Sequence, residues 1–414
     1  ALQGRTCKSV AEAQAELEAD ADIPPEVSEL FDTLRGEALR RLDEFSPIHL
    51  FSLCWAYSTA RLLDEDLQKK VTRAALRLGE AKDKEADGCS KDKSTTELFE
   101  PTAKESTHRL GTPYVAHSAD HWLALYKPAH WQVSVDSREA TKNATAPFED
   151  DDEGDGEEDS PGDKPRLQNW IRQNLAPQLA ICNDATEAFG LLHRLDAQTS
   201  GYIVCAKSYV GAYWLRLQWC SYAVDKEYVA LVHGFVDPSE REIHKRIRID
   251  KRKAPNSRRT VSTHCTVGAN GKPSFTELVT LAHLRRSGSG AAEGEPYSLV
   301  ALKLHTGRTH QIRVHMQSIG HPLVTDVKYA EDRHGDDKAW CPRNFLHTYR
   351  LAFRDVPTKE QLEENTSSAL KEMFCPLPQD LRETLSLLEP ADSVSQQHLS
   401  DWLTGEAARL QTWE

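Results

Sequence analysis

The sequence has no closely spaced cysteines and no long apolar run. Its 414 residues include nine cysteines, an odd number, and none of them forms a Cys-x-x-Cys pair. Scattered cysteines are typical of reduced thiols, so we expect an intracellular protein without structural zinc, with cytoplasm, nucleus and organelle left open. No apolar run approaches membrane-spanning length, and no signal-peptide pattern opens the sequence. We therefore expect no membrane partner.

Several catalytic signatures are also missing from the sequence. It contains no His-Glu-x-x-His zinc motif and no Gly-x-Ser-x-Gly elbow, and the Gly-rich segment RRSGSGAAEGEP lacks the Gly-Lys-Ser/Thr ending of a P-loop. His305, His310 and His315 are five residues apart, a spacing that puts neighbours on different faces of a helix. These absences argue against a metal site, a serine hydrolase and a nucleotide-phosphate loop.

The charged residues are distributed unevenly along the chain. The formal net charge is −13, but residues 149–159 (EDDDEGDGEED) hold nine acids and no base, and without them the charge is −4. Conversely, residues 241–260 hold nine Lys or Arg and two acids, a local charge of +7. A local basic strip matters more for phosphate binding than the net charge does. This strip predicts either a nucleic-acid contact or a solvated charged hairpin.

Hydrophobic spacing divides the chain into a helical beginning and a strand-rich remainder. Apolar residues recur every three or four positions in PIHLFSLCWAYSTARLL and LQKKVTRAALRLGE, which predicts two helices, with Gly79 as a C-cap. Later alternating segments such as YSLVALKLH predict consecutive strands and an α+β fold with a mainly antiparallel mixed sheet. We expect a helical appendage at 1–80, a linker at 81–110, a strand-rich domain at 111–390 with a disordered acidic insertion at about 140–164, and a C-terminal helix at 391–414.

Three polar clusters stand out within the strand-rich region. The segment LLHRLDAQTSG carries Asp196, DKEYVALVHG carries Tyr228, and HTGRTHQIRVHMQSIGHPLVTD carries Arg313 among several histidines. From its neighbours alone, Asp196 is a candidate nucleophile, a metal ligand or the acid of a surface salt bridge. A glycosidase would need a second catalytic carboxylate, and none is marked out by its context.

Six ordered segments resemble motifs of the RluA-type pseudouridine synthases. HRLDAQTSG is similar to the family's HRLDxxTSG signature, and TGRTHQIRVHM…GHPLVTD to its GRTHQIRxHxxxxGHPLxGD segment. VDKEYVALVHG resembles the family's K-x-Y strand, GKPSFTEL its GKPAxTxY strand, WLALYKPAHWQV the strand that ends in KPxG, and RNFLHTYRLAF with CPLPQDL the closing strand and tail. The matches span residues 113–388 and leave the helical appendage without a counterpart.

The resemblance implies the pseudouridine synthase catalytic fold and an isomerase that moves uracil from an N1 to a C5 glycosidic link in rRNA or tRNA, without cofactor or metal. It implies that Asp196 is the nucleophile, attacking ribose C1′ or uracil C6 after base flipping. Arg313 would be its ion-pair partner, and Tyr228 would stack on the uracil and help remove the C5 proton. The expected RNA-binding residues are Arg194, His193, Arg308 and Lys127 beside the motifs, and Arg246, Arg248, Lys251 and Arg252 in the basic strip.

Two other classes of function remain open from the sequence. The chain could be an RNA-binding or RNA-folding protein that keeps the synthase fold but depends little on turnover, or a helical adaptor with a degenerate domain. Intact Asp196, Tyr228 and Arg313 favour the enzyme. Thr325 and Ala330 stand where the family commonly has glycine, which affects local loops rather than catalysis. We expect a monomer whose N-terminal helices are candidates for binding a partner.

Overall fold

The computed structural model describes residues 25–87, 111–133, 165–253, 260–287, 294–364 and 366–405, with side chains left out within 251–263. Four predicted parts lie outside these ranges: residues 1–24 of the appendage, residues 88–110 of the linker, the acidic insertion, and residues 406–414 of the C-terminal helix. Within the described ranges, no helix is long and apolar enough to cross a membrane.

Helices dominate the beginning of the chain and strands its centre. The α-helices are α1 (Pro25–Arg40), α2 (Pro47–Thr59), α3 (Glu65–Asp87), α4 (Leu167–Asn174), α5 (Tyr209–Cys220), α6 (Gln311–Ser318), α7 (Glu331–Lys338), α8 (Lys359–Glu364), α9 (Gln379–Leu385) and α10 (Ser393–Thr404). The strands are β1 (Tyr114–Ser118), β2 (Trp122–Lys127), β3 (Ser200–Ala206), β4 (Asp225–His233), β5 (Glu242–His244), β6 (Ile247–Lys253), β7 (Thr260–Val267), β8 (Phe275–Arg286), β9 (Glu295–Leu304), β10 (Leu346–Arg354), β11 (Leu370–Phe374) and β12 (Glu389–Pro390).

One ten-stranded mixed sheet forms the centre of the molecule. Its main path is β1-β2-β3-β10-β4-β9-β8-β12, with β11 added to β10 and β5 added to β8. Among the described strands, β3 and β10 form the one parallel pair. The prediction of an α+β fold with a mainly antiparallel mixed sheet and preceding helices is confirmed. His347 of β10 is paired with Ser200 at the start of β3 and with Val229 of β4, so the loop before β3 lies level with the middle of β4.

The N-terminal helices pack closely on the strand-rich region. A Cβ atom added at Gly79 of α3 would lie 2.7 Å from the Cα of Val210 in α5. Gly79 lies inside α3, which continues to Asp87, so the prediction of a C-cap at Gly79 is wrong and residues 81–87 of the predicted linker are helical. The glycine is needed because the two helix backbones approach where a side chain would not fit.

Polar contacts also connect α3 to the rest of the molecule. The Asp83 carboxylate accepts hydrogen bonds from the backbone N–H groups of Tyr209 (2.8 Å) and Val210 (3.1 Å). These N–H groups belong to the first turn of α5, where N–H groups have no carbonyl partner within the helix. The positive end of the helix dipole also favours a negative charge there. Buried residues of α2 and α3 share one hydrophobic cluster with strands β2 and β3. The division into separate domains stays a prediction, and the structure gives both parts a common core.

The two positions that depart from the family's glycines differ in backbone conformation. Thr325 has a φ of 61°, in the left-handed region that is unfavourable for a β-branched residue. Its N–H donates to Asp337 at 2.9 Å and its hydroxyl donates to the carbonyl of Cys341 at 3.1 Å. Ala330 has a φ of −143°, which demands no glycine. The first departure is therefore held by local hydrogen bonds, and the second carries no such strain.

We predict that Gly79→Ala destabilises the protein by about 1–3 kcal/mol, because the new methyl group must force α3 away from α5. Gly36→Ala is the matched control, since Gly36 also lies within a helix but a Cβ atom added there would have no neighbour within 4 Å. There the change should stabilise by up to about 1 kcal/mol, through helix propensity alone. Denaturant unfolding of both variants measures this, and equal effects would contradict the close packing.

Candidate active site

The three polar clusters of the sequence meet around one cavity. Asp196 lies in the loop before β3, Tyr228 lies on β4 and Arg313 lies on α6. All three line a cavity of about 190 Å³. Residues separated by up to 117 positions in the sequence thus face the same space, as the resemblance implied.

Arg313 is held between two carboxylates. Its Nε and Nη2 atoms donate to the two oxygens of Asp326, both at 2.8 Å, and its Nη1 donates to Asp196 at 3.2 Å. Arg313 and Asp326 are almost fully buried, whereas the Asp196 side chain is 17% exposed. The guanidinium carbon also lies 5.1 Å from the centre of the Tyr329 ring. The bidentate pair with Asp326 fixes the position of the Arg313 guanidinium. Its remaining nitrogen, Nη1, donates to Asp196 at the cavity wall.

The charges in this group stabilise one another against burial. Burial disfavours a charged Arg313, but the charge and hydrogen bonds of Asp326, together with the charge of Asp196, raise its pKa well above the ordinary value. Burial would raise the pKa of Asp326, and the charge and hydrogen bonds of Arg313 lower it below the ordinary value instead. The site therefore keeps a permanent cation beside Asp196.

Tyr228 supplies a neutral ring to the cavity. The side chain is 7% exposed. Burial raises its pKa above the ordinary value, and the negative charge of Asp196 adds to this. At neutral pH the phenol is protonated, which suits stacking on an uncharged base.

Buried hydrogen bonds define the loop that presents Asp196. Arg343 donates to the carbonyl of Gln198 at 3.0 Å and to the hydroxyl of Ser200 at 2.9 Å, and the side chain of Gln198 accepts from the N–H of Asn344 at 2.9 Å. Gly201 has a φ of 137°, and a Cβ there would lie 2.6 Å from the carbonyl oxygen of Thr348. This glycine lets β3 approach β10.

The His193 side chain is buried and contacts other protein groups rather than solvent. Its Nε2 accepts a hydrogen bond from the N–H of Val204 at 3.0 Å, and its ring stacks on Trp219 with centroids 4.9 Å apart. Burial, helped by the charge of Lys226, lowers the pKa of His193 to about 3, so the ring is neutral and can accept that bond. These contacts let His193 orient the loop that carries Asp196. An RNA contact by His193 stays a prediction.

The prediction that Lys127 binds RNA is wrong, because this lysine does not lie on the surface. Its side chain is fully buried, and its Nζ donates to the carbonyls of Pro128 (3.0 Å), Trp131 (2.8 Å) and Ala197 (3.0 Å). Three carbonyl partners use the hydrogen-bonding capacity of an ammonium group. The lysine joins the end of β2 to the loop of Asp196 and cannot bind phosphate there.

Other cations lie at or beyond the cavity. Arg194 and Arg308 line it, and Arg308 also donates from Nε to the carbonyl of Pro273 at 3.2 Å. Arg246 is exposed and donates to the carbonyl of Gly271 at 3.2 Å, and Arg248 is exposed and pairs with Asp250 at 2.9 Å. Lys251 and Arg252 lie on β6, without described side chains.

The basic strip forms a hairpin beside the helix that carries Arg313. Strands β6 and β7 pair with each other in a separate two-stranded sheet. Ile247 and Cys265 of this hairpin pack with Val314 of α6 and with Tyr329. The Tyr329 hydroxyl accepts from the N–H of Cys265 at 3.0 Å and is 2.8 Å from Nδ1 of His310. These contacts fix the hairpin next to the cavity.

Several residues that line the cavity or hold its arginine had no role in the sequence-based prediction. Asp326 is the last residue of the GHPLVTD segment and Lys226 belongs to the K-x-Y strand, so both stood in motifs without an assigned function. Lys226 lines the cavity, and burial, together with the charge of Arg308 and against that of Asp225, lowers its pKa to about 8. Trp55 and Tyr222 also line it, and no motif marked them.

Comparison with known proteins places the chain in a family. Residues 121–318 match the family described as RNA pseudouridylate synthase. RNA pseudouridylate synthase domain-containing protein 1 from Bos taurus is 31% identical over 283 residues, which cover 68% of this chain and 79% of that protein. The chain belongs to this family. It is an RNA pseudouridine synthase, an isomerase.

Other members of the pseudouridine synthase family are similarly related. Ribosomal large subunit pseudouridine synthase D from Neisseria meningitidis serogroup B is 32% identical over 233 residues, 54% of this chain and 55% of that protein. Dual-specificity RNA pseudouridine synthase RluA from Pasteurella multocida is 31% identical over 204 residues, 49% of this chain and 80% of that protein. These relatives confirm the RluA-type resemblance. The solved structure of human RNA Pseudouridylate Synthase Domain Containing 1 has 25% identity and a TM-score of 0.44, and covers 71% of this chain and 97% of its own.

Proposed function

We propose that this pseudouridine synthase isomerises specific uridines of structured RNA, rRNA or tRNA, with Asp196 as the nucleophile. The observation that carries the proposal is the contact of Asp196 with Arg313 at 3.2 Å, in a cavity that Tyr228 also lines. A partly exposed carboxylate beside a permanently charged guanidinium is poised as a nucleophile. The ribosomal name of the Neisseria relative supports rRNA as one substrate class.

The target uridine must leave its base stack to react. Asp196 is 17% exposed within the cavity, so a base that remains inside a duplex cannot reach its carboxylate. The cavity has a volume of about 190 Å³, which is far too small to hold a duplex. Tyr228 would stack on the flipped uracil, and Arg194 at the cavity wall would contact phosphate or occupy the space that the base leaves.

The reaction conserves atoms and electrons. The Asp196 carboxylate attacks ribose C1′ or uracil C6, and the N1–C1′ bond breaks. The uracil turns within the cavity and a C5–C1′ bond forms. The bond from Asp196 to C1′ or C6 breaks and restores the free carboxylate, the C5 proton leaves and N1 gains a proton. Arg313 stabilises the negative charge near Asp196 throughout, and Tyr228 keeps the uracil in the cavity. The protonated Tyr228 phenol favours this stacking role over ionised base catalysis.

We further propose that cations around the cavity bind the RNA backbone. Arg194 and Arg308 line the cavity, and the hairpin of β6 and β7 lies beside α6 and carries the basic strip. Arg246 and Arg248 are exposed on it. Phosphate contacts of this kind provide affinity without sequence reading. They would hold the RNA while its uridine enters the cavity, with the protein acting as a monomer.

We predict that the purified protein releases tritium from cellular RNA labelled at uracil C5, and that Asp196→Asn slows the release at least about a thousandfold while RNA binding persists. The amide has nearly the shape of the carboxylate but is not a nucleophile. Asp336→Asn, at an exposed position on α7, is the control and should react at the wild-type rate. RNA binding without any release by the wild type would instead support the alternative, an RNA-binding or RNA-folding protein that depends little on turnover.

Neutralising the hairpin should weaken RNA binding and reduce its salt dependence. With Gln at Arg246, Arg248, Lys251 and Arg252, the slope of log affinity against log salt should fall by roughly 2 to 4, because each lost phosphate contact removes about 0.9. The control carries Gln at four cations of the N-terminal helical region, Arg40, Arg41, Lys69 and Lys70. Filter retention of labelled RNA at several salt concentrations measures both. An unchanged slope, or equal changes in both variants, would rule out the hairpin contact.

A further inference from the structure

A side chain from the N-terminal helices forms part of the cavity wall. Trp55 lies on α2, and the family match begins at residue 121. Its half-buried indole lines the same cavity as Asp196 and Tyr228. The helices that precede the family match therefore contribute directly to the site.

The Trp55 ring is fixed in place by a neighbour that also lines the cavity. Its Nε1 donates to the hydroxyl of Tyr222 at 3.1 Å. Tyr222 follows α5 with a φ of 56°, an uncommon conformation for a residue with a Cβ. Its N–H is bonded to the carbonyl of Trp219 at 3.2 Å, which helps to hold the turn. Two half-buried aromatic rings are thus pre-positioned at the cavity, which reduces the entropy lost when a ligand binds.

The chemistry of α2 and α3 favours base stacking over phosphate binding. Helix α2 (PIHLFSLCWAYST) contains no Lys, Arg, Asp or Glu, and α3 carries six acids and six bases. These helices offer no excess of positive charge to the RNA backbone. An aromatic ring at a cavity wall offers a face on which any unstacked base can lie.

We propose that Trp55, positioned by Tyr222, stacks on an RNA base next to the flipped uridine and so strengthens binding of RNA with the uridine flipped out. The proposal rests on the function proposed above, because flipping one uridine leaves its neighbours without a stacking partner. The interaction joins the N-terminal helices to RNA recognition, through an apolar contact that salt does not screen.

Trp55→Leu tests this stacking, since leucine keeps apolar volume against α5 but has no ring. At limiting RNA, we expect tritium release from C5-labelled cellular RNA, and filter retention of that RNA, to fall about tenfold for this variant. The slope of affinity against salt should remain that of the wild type. Trp55→Phe keeps an aromatic face and should restore most of the affinity.

Trp214→Leu is the matched control. Trp214 lies on α5, is half-buried and donates from its Nε1 to the carbonyl of Arg354 at 2.9 Å, away from the cavity lining. If Trp55→Leu stays within twofold of the wild type, or if both variants lose the same activity, the stacking proposal fails. Absence of tritium release by the wild type would refute the proposed reaction instead, and filter retention would still decide the role of Trp55.

Discussion

The buried ion pair between Arg313 and Asp326 is the interaction on which the site depends. Both hydrogen bonds of the pair measure 2.8 Å, and both side chains are almost completely shielded from water. Breaking such a pair by removing one partner is costly because it leaves an uncompensated buried charge. Its consequence for function is geometric. Because two nitrogens of the Arg313 guanidinium are bonded to Asp326, the third nitrogen can point in only one direction. Asp196 lies in that direction.

The same ion pair connects several elements around the cavity. Asp326 also accepts hydrogen bonds from the N–H groups of Lys328 (3.0 Å) and Tyr329 (3.2 Å), which fold the loop after it. Tyr329 in turn contacts Arg313 with its ring and the basic hairpin with its hydroxyl. The proposed phosphate-binding hairpin and the proposed nucleophile are therefore positioned by neighbouring parts of one packed network.

The sequence predicted the fold class. Its motifs also marked out the three residues that the structure places at the cavity. Asp196, Tyr228 and Arg313 could be singled out because each belongs to a dense polar motif, and the structure places all three at one cavity, while their catalytic roles stay a prediction. The sequence-based prediction failed for Lys127, since a Lys-Pro motif does not reveal that the ammonium group turns inward onto three carbonyls. It also misread Gly79, because the close approach of α3 to α5 is a tertiary contact that leaves no local pattern. Trp55 could not be found, as its position at the cavity depends on how α2 packs.

The most direct test of this account is the single-turnover rate of tritium release by Asp326→Asn, measured at a temperature where the variant is folded. Asp326 is fully buried and does not line the cavity, so it can affect the reaction only through the groups that it holds, of which Arg313 is the one that contacts Asp196. We expect a rate roughly 10- to 100-fold below the wild type with RNA retention unchanged, because a small displacement of catalytic groups has that cost. A rate within twofold of the wild type would contradict the account, since Arg313 would then serve Asp196 without its buried partner.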